Sequence, residues 1–131
     1  MEKIFESKLI IIEDSSFSRA ALYSQLKSIG YKHIDTPEDS AEGWELIAQS
    51  LVNDEAYDLV ITDLNMPGLD GMDLIEKIKS DPGSSHLKIL VISADADKII
   101  IDAVLKMGAE DYLVKPTTEE SLKITLGKIL K

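Results

Sequence analysis

The sequence predicts an α/β domain, a doubly wound parallel sheet with helices on both faces. Three observations lead there. Four short apolar runs, at residues 9–12, 59–61, 89–92 and 112–114, are rich in Ile, Leu and Val and carry no polar alternation. Such runs are expected of strands covered on both faces, as parallel strands under helices are. Helical periodicity returns in every interval between them, which gives a βα alternation. Finally, 131 residues suffice for one core and not for two.

The elements follow in chain order. After the first run, Ser15 or Ser16 can cap a helix that carries Ala20, Leu22, Leu26 and Ile29 and stops at Gly30. His33, Ile34, Asp35 and Thr36 form a candidate edge strand. Residues 38–51 set Ala41, Trp44, Ile47 and Leu51 at spacings of three and four. Gly43 inside that helix costs about 1 kcal/mol relative to Ala and so marks a close contact. Behind the Pro67-Gly68 loop, residues 72–79 present Leu74, Ile75 and Ile78, and residues 81–85 are a turn. A fourth helix spans 97–107, before Gly108, and a fifth spans 118–130. With no repeat, low-complexity tract or linker, residues 1–131 are expected to be a single domain without an output domain, one that acts through a partner.

Composition narrows the function. The formal charge is −10, from 24 acids against 14 bases. That field repels nucleic-acid phosphates and anionic headgroups, so neither direct nucleic-acid binding nor membrane association is expected. Cys is absent, which removes disulfides and thiolate metal sites. Acids stand among the first residues where a signal peptide needs an apolar run, and nothing approaches the ~20 apolar residues of a membrane span. A cytoplasmic location is expected.

In open parallel sheets, ligands bind beyond the carboxyl ends of the strands. The residues following the apolar runs are Glu13 and Asp14, then Asp63, Ser93 and Lys115. Carboxylates gathered at one edge raise one another's pKa unless a cation intervenes. Mg²⁺ suits such a set, because it takes one or two carboxylates together with phosphate oxygens. An Asp beside it can attack a phosphoryl donor, with Lys115 and the Ser93 hydroxyl meeting the transferring oxygens. Taken singly, Asp14 and Ser93 serve as well for helix caps, Asp63 for a turn at Leu64-Asn65-Met66-Pro67-Gly68, and Lys115 for a solvated lysine. Their joint occurrence at four strand ends carries the inference. No Gly-rich phosphate loop or nucleophile elbow is present, and His33 and His86 lack metal-ligand spacing.

These residues resemble the receiver domain of bacterial response regulators, in particular the stand-alone chemotaxis type, CheY-like. The match is carried by Ile11-Ile12-Glu13-Asp14-Ser15, Val60-Ile61-Thr62-Asp63-Leu64-Asn65-Met66-Pro67-Gly68-Leu69-Asp70-Gly71, Val91-Ile92-Ser93-Ala94 and Gly108-Ala109-Glu110-Asp111-Tyr112-Leu113-Val114-Lys115-Pro116. The resemblance implies a flavodoxin-like (βα)5 fold with strand order 2-1-3-4-5. It implies Asp63 as phosphoacceptor, catalytic together with Ser93 and Lys115, and a Mg²⁺ cofactor held by Asp14, Asp63 and the Asn65 carbonyl, with Glu13 acting through metal-bound water. It further implies Ser93 and Tyr112 as switch residues and a cis Lys115-Pro116 peptide. The donor would be a sensor histidine kinase, a histidine phosphotransfer protein or a small phosphodonor, and the chain a monomer or a weak phosphorylation-dependent dimer. Glu13 stands where Asp is commoner, Ser93 where Thr is frequent, and about five extra residues lie near 51–56.

On this reading the chain is a phosphorylation-activated switch of a two-component system and not an enzyme beyond handling its own phosphoryl group. A phosphorelay intermediate is the alternative role. A haloacid-dehalogenase-like phosphatase fits poorly, because its general acid would stand where Asn65 does. A degenerate binding module fits poorly too, since the acceptor, the acidic pair and the lysine are all present. Ile99, Ile100 and Ile101 are consecutive on one helix, so at least one is expected at the surface as a partner contact.

Overall fold

The computed structural model describes residues 2–68 and 70–131, the Glu2 side chain excepted. Met1 and Leu69, the latter within the acceptor-loop motif, lie outside the described residues. After a 3-10 turn at Glu2–Glu6, the chain runs β1 (Lys8–Ile12), α1 (Ser16–Ile29), β2 (His33–Asp35), α2 (Ser40–Val52), β3 (Leu59–Thr62), α3 (Gly71–Ser80), β4 (Lys88–Ser93), α4 (Lys98–Lys106), β5 (Asp111–Val114) and α5 (Glu119–Leu130). The five strands pair in parallel in the order β2-β1-β3-β4-β5. The expected fold is therefore the observed one. No helix among the described residues is long and apolar enough to cross a membrane.

The uninterrupted apolar runs follow from two cores. Ile10, Ile12, Val60, Ile89 and Val91 face one side with Ile47 of α2, Leu74, Ile75 and Ile78 of α3 and Val104 of α4. Leu9, Ile11, Leu59, Ile61, Leu90 and Ile92 face the other, with Leu22 and Leu26 of α1 and Leu122 and Leu126 of α5. Successive residues of a strand point to opposite faces, so each run must be apolar throughout. Each such Leu or Ile contributes roughly 1.5–3 kcal/mol on burial. At the end of α1, Gly30 has φ 130°, and its N–H bonds the carbonyls of Leu26 and Lys27. Few residues other than Gly accept that backbone.

Two local expectations need correction. β5 is not covered on both faces: Tyr112 is buried, but Val114 is 41% exposed, because this edge strand has only β4 beside it. In α2 the buried residues are Ser40, Gly43, Ile47 and Ser50, whereas Ala41 is exposed and Trp44 and Leu51 are half-buried. Both stripes share Ile47 and both have helical spacing. Gly43 selects between them, since a Cβ there would lie 2.9 Å from Ile12 Cδ1. Only Gly lets α2 lie this close to β1, and that contact sets the helix rotation.

Two predictions arise here. Tyr31 is buried, and its hydroxyl has no protein hydrogen-bond partner among the described residues. A buried unsatisfied hydroxyl costs about 1–3 kcal/mol, so Tyr31→Phe should raise stability by about 1 kcal/mol at neutral pH. Burial also pushes the Tyr31 hydroxyl up to about 12. The folded state thus holds this proton more tightly than the unfolded chain, and wild-type stability falls as pH rises from about 10 towards 12. Urea unfolding at pH 7 and pH 11 should show the gap between variant and wild type widening at the higher pH. Gly127, inside α5, has nothing within 4 Å of the position a Cβ would take. Gly127→Ala should therefore add about 1 kcal/mol, read as a higher urea midpoint at unchanged slope.

Candidate functional site at the carboxyl edge

The register brings the strand ends level. Ile12 pairs with Thr62, Thr62 with Val91 and Ser93 with Val114. Two cross-strand bonds continue past the ends, from Asp63 N–H to the Ile12 carbonyl at 3.1 Å and from Lys115 N–H to the Ser93 carbonyl at 2.8 Å. Glu13, Asp63, Ser93 and Lys115 consequently share one edge of the sheet, where β1 and β3 lie side by side and their connections diverge.

Lys115 joins the two buried acids. Its ammonium donates to Asp63 Oδ2 at 2.8 Å and to Glu13 Oε1. Glu13 is 2% exposed and Asp63 8%. Asp63 Oδ1 accepts from the N–H groups of Leu64 at 2.6 Å and Asn65 at 3.3 Å, while Glu13 Oε2 accepts from Ser15 N–H at 3.1 Å. The two carboxyls titrate in opposite directions. Burial raises Glu13 above the ordinary carboxylate range by more than Lys115 lowers it. Burial acts on Asp63 too, but the bonds from Lys115 and the Asn65 N–H, together with the neighbouring Glu13 carboxyl, hold it below its usual value. Asp63 is thus the acid kept ionised, which suits a nucleophile. Burial works against the Lys115 charge, and its two carboxylate partners more than offset it, raising its pKa.

Asp14 is placed differently. It is exposed and, among the described residues, takes part in none of the side-chain hydrogen bonds of the site. Among the described residues, no three acid or imidazole groups close into a metal-binding cluster. The expected gathering of three carboxylates is therefore a gathering of two around Lys115, with the third hydrated at the mouth. This donor set still fits Mg²⁺ on charge. One ammonium faces two buried carboxylates, one of them already held above its ordinary pKa, and hard oxygens of Asp14 and Asn65 stand at the solvent side.

Ser93 is fully buried, and its Oγ accepts from Asp95 N–H at 3.2 Å. The Tyr112 hydroxyl donates to the Asp95 carbonyl at 2.6 Å. The residue two positions past Ser93 therefore touches both expected switch residues through its backbone. The Lys115-Pro116 peptide is cis. On α4, Ile99 is 77% exposed while Ile100 and Ile101 are half-buried against the core, as three adjacent helical isoleucines require.

Three contacts went unseen in the sequence. Arg19 Nη1 donates to the carbonyls of Glu13 at 2.8 Å and Glu38 at 3.3 Å, tying α1 to the acidic pair and to the β2–α2 loop. Ser18 Oγ lies 3.4 Å from Lys115 Nζ. Gln25 bonds Thr117, 92 positions away. Ser18 and Gln25 are seven residues apart, on one helical face, but no local pattern announces what that face meets.

Comparison with known proteins gives one answer. Residues 9–126 match the model of the response regulator receiver domain. The chemotaxis protein CheY1 of Helicobacter pylori is 33% identical over 123 residues, 94% of this chain and 96% of that protein. A crystal structure of a response regulator receiver domain protein from Clostridium thermocellum superposes with a TM-score of 0.83 at 29% identity, covering 95% of this chain and 94% of that one. The receiver domain of sensor histidine kinase PA1611 from Pseudomonas aeruginosa shares the fold, with a TM-score of 0.78 at 22% identity over 95% of this chain and 98% of that one. It was solved with magnesium coordinated in its active-site cleft.

Proposed function

This chain belongs to the response regulator receiver domain family and is a phosphorylation-activated switch of two-component signalling, and from that premise we propose that Asp63 is its phosphoacceptor. The observation that carries the assignment is the Asp63 carboxylate itself, buried, kept ionised and bonded to the Lys115 ammonium at 2.8 Å. An Asp63 oxygen attacks the donor phosphorus. An O–P bond forms as the donor's P–N or P–O bond breaks, and the electron pair leaves on the donor. Water later attacks the acyl phosphate and releases inorganic phosphate, so the only turnover is of the chain's own phosphoryl group.

Lys115 follows the charge from the carboxylate to the phosphoryl oxygens, and the Ser93 hydroxyl supplies a donor on the neighbouring strand. Mg²⁺ would be held by Asp14, Asp63 and the Asn65 carbonyl, with Glu13 acting through water; when bound it neutralises the transferring oxygens. The donor in the cell is a sensor histidine kinase or a histidine phosphotransfer protein. The signal leaves through a protein contact on the face of α4 and β5, where Ile99 is exposed and Tyr112 reports the state of Ser93. Incubation with an acyl phosphate and Mg²⁺ should add one phosphoryl mass, mapped by peptide mass spectrometry to Asp63. A phosphoryl group found on another residue, or none at all, would refute the assignment.

A further inference from the structure

Lys115 has a demanding reach. It leaves the end of β5, and Asp63 stands at the end of β3, with β4 between them. Two inter-strand spacings make about 10 Å, which leaves a four-carbon stem little slack. The position of the loop at residues 115–118 therefore decides whether the ammonium meets Asp63. On one side the loop is anchored by Lys115 N–H on the Ser93 carbonyl, and at its end Thr118 caps α5. Because β5 is the edge strand, no further strand holds the outer side.

The loop's other support comes from α1, which packs against α5 and β1. Gln25 spends both ends of its amide on one residue: Nε2 donates to the Thr117 carbonyl at 2.9 Å, and Oε1 accepts from Thr117 Oγ1 at 2.9 Å. A two-point contact fixes rotation as well as distance. Two turns earlier on the same face, Ser18 Oγ meets the Lys115 ammonium at 3.4 Å. Between these points the loop does not pack tightly on the helix, for a cleft of about 230 Å³ lies there, lined by Phe17, Ala21, Leu22 and Pro116 among others. Apolar packing is thus sparse where the loop passes α1, and the polar clamp does the holding. We propose that Gln25, through its paired bonds to Thr117, is a positioning residue for Lys115 in phosphoryl transfer.

The inference rests on the reading of Asp63 and Lys115 given above. Its test measures the rate of phosphoryl incorporation from an acyl phosphate at saturating Mg²⁺, using the whole chain. The variants are Gln25→Met, Thr117→Val, the double variant and Ser28→Ala. Ser28 is the control, because it bonds Glu119 at 2.9 Å along the same α1–α5 seam without touching the loop. Misplacing a reacting group by a fraction of an ångström to an ångström costs up to 10²-fold. Gln25→Met should slow incorporation about tenfold and Thr117→Val by a similar factor, with the double variant no slower than either. Mg²⁺ affinity by isothermal titration should stay within twofold of wild type, and Ser28→Ala should match wild type in rate. A general loosening of the fold would instead lower metal affinity along with the rate and would appear in Ser28→Ala, and either result overturns the inference. If Gln25→Met proves unfolded, Thr117→Val alone decides by the same criteria. Equal rates in wild type and variants sink this inference alone, whereas a wild type that takes up no phosphoryl group sinks the Asp63 assignment and this inference with it.

Discussion

Asp63→Asn is expected to lower phosphoryl incorporation by ~10³-fold or more, the scale on which loss of a nucleophile acts, while leaving the fold intact. The two effects separate because the carboxylate oxygens have different tasks. Oδ1 accepts the Leu64 and Asn65 N–H groups, and an amide oxygen accepts them equally well. Oδ2 faces Lys115, and it is the charge there that the substitution removes. With one carboxylate gone, Lys115 pairs with Glu13 alone, and the like-charge neighbour that helps to raise Glu13 is lost. Because Asp63 is held below its usual pKa, its charge supports the fold at neutral pH, and the relief at Glu13 offsets the loss of that charge only in part. The thermal midpoint of Asp63→Asn should therefore fall by a few degrees, with the transition still cooperative. Intact-mass measurement after exposure to an acyl phosphate and Mg²⁺ reads the first effect and calorimetry the second. Incorporation at the wild-type rate would remove Asp63 from its role, and a collapsed fold would show that Oδ2 is needed structurally.

Gly71→Ala should do the reverse, damaging the fold and the site together. Gly71 opens α3, and its N–H bonds the Leu64 carbonyl at 3.0 Å. A Cβ at this position would lie 2.0 Å from the Asp63 carbonyl oxygen and 2.6 Å from Leu64 Cα. Both obstacles are backbone, in the segment that aims Asp63, so no side-chain rotation relieves them. Either α3 moves outward, uncovering Leu74, Ile75 and Ile78, or the acceptor loop shifts and carries the carboxylate away from Lys115. Overpacking usually costs 1–3 kcal/mol and occasionally more, and a clash with backbone on this scale should cost about 3 kcal/mol or more. Urea unfolding measures the loss. In the fraction that remains folded, phosphoryl incorporation should fall at least tenfold, which a purely remote destabilisation would not produce. A variant with wild-type stability and rate would mean that the approach of α3 to the acceptor loop is looser than described.

Much of this molecule was legible in its sequence, for a definite reason. A strand covered on both faces must be apolar at every position, so the cores of β1, β3 and β4 stand out as uninterrupted runs. A parallel sheet then delivers the residue after each strand to one edge, which is why Glu13, Asp63, Ser93 and Lys115 could be grouped before any distance was known. One helix start was legible as well: Ser15 caps α1 with the side chain that its residue type predicts. These are local facts, set by periodicity and by the chemistry of single residues.

What the tertiary structure alone decided depends on distances through space. Gly43, Gly71 and Gly127 are all glycines within helices, and nothing local separates them. The first meets the buried side chain of Ile12, the second the backbone of the acceptor loop and the third open space, so the same substitution ranges from stabilising to disruptive. Glu13 and Asp14 are adjacent acids after one strand, yet the turn into α1 buries one against Lys115 and leaves the other in water. The α2 stripe expected from spacing, Ala41, Trp44, Ile47 and Leu51, is not the buried one, because the contact of Gly43 with β1 turns Ser40, Gly43, Ile47 and Ser50 inward. Gln25 reads as an ordinary polar position on an amphipathic helix, and only the packing of α1 against α5 brings it to Thr117. Periodicity reports which face of an element is covered, whereas the identity of the covering atoms is a property of the assembled fold.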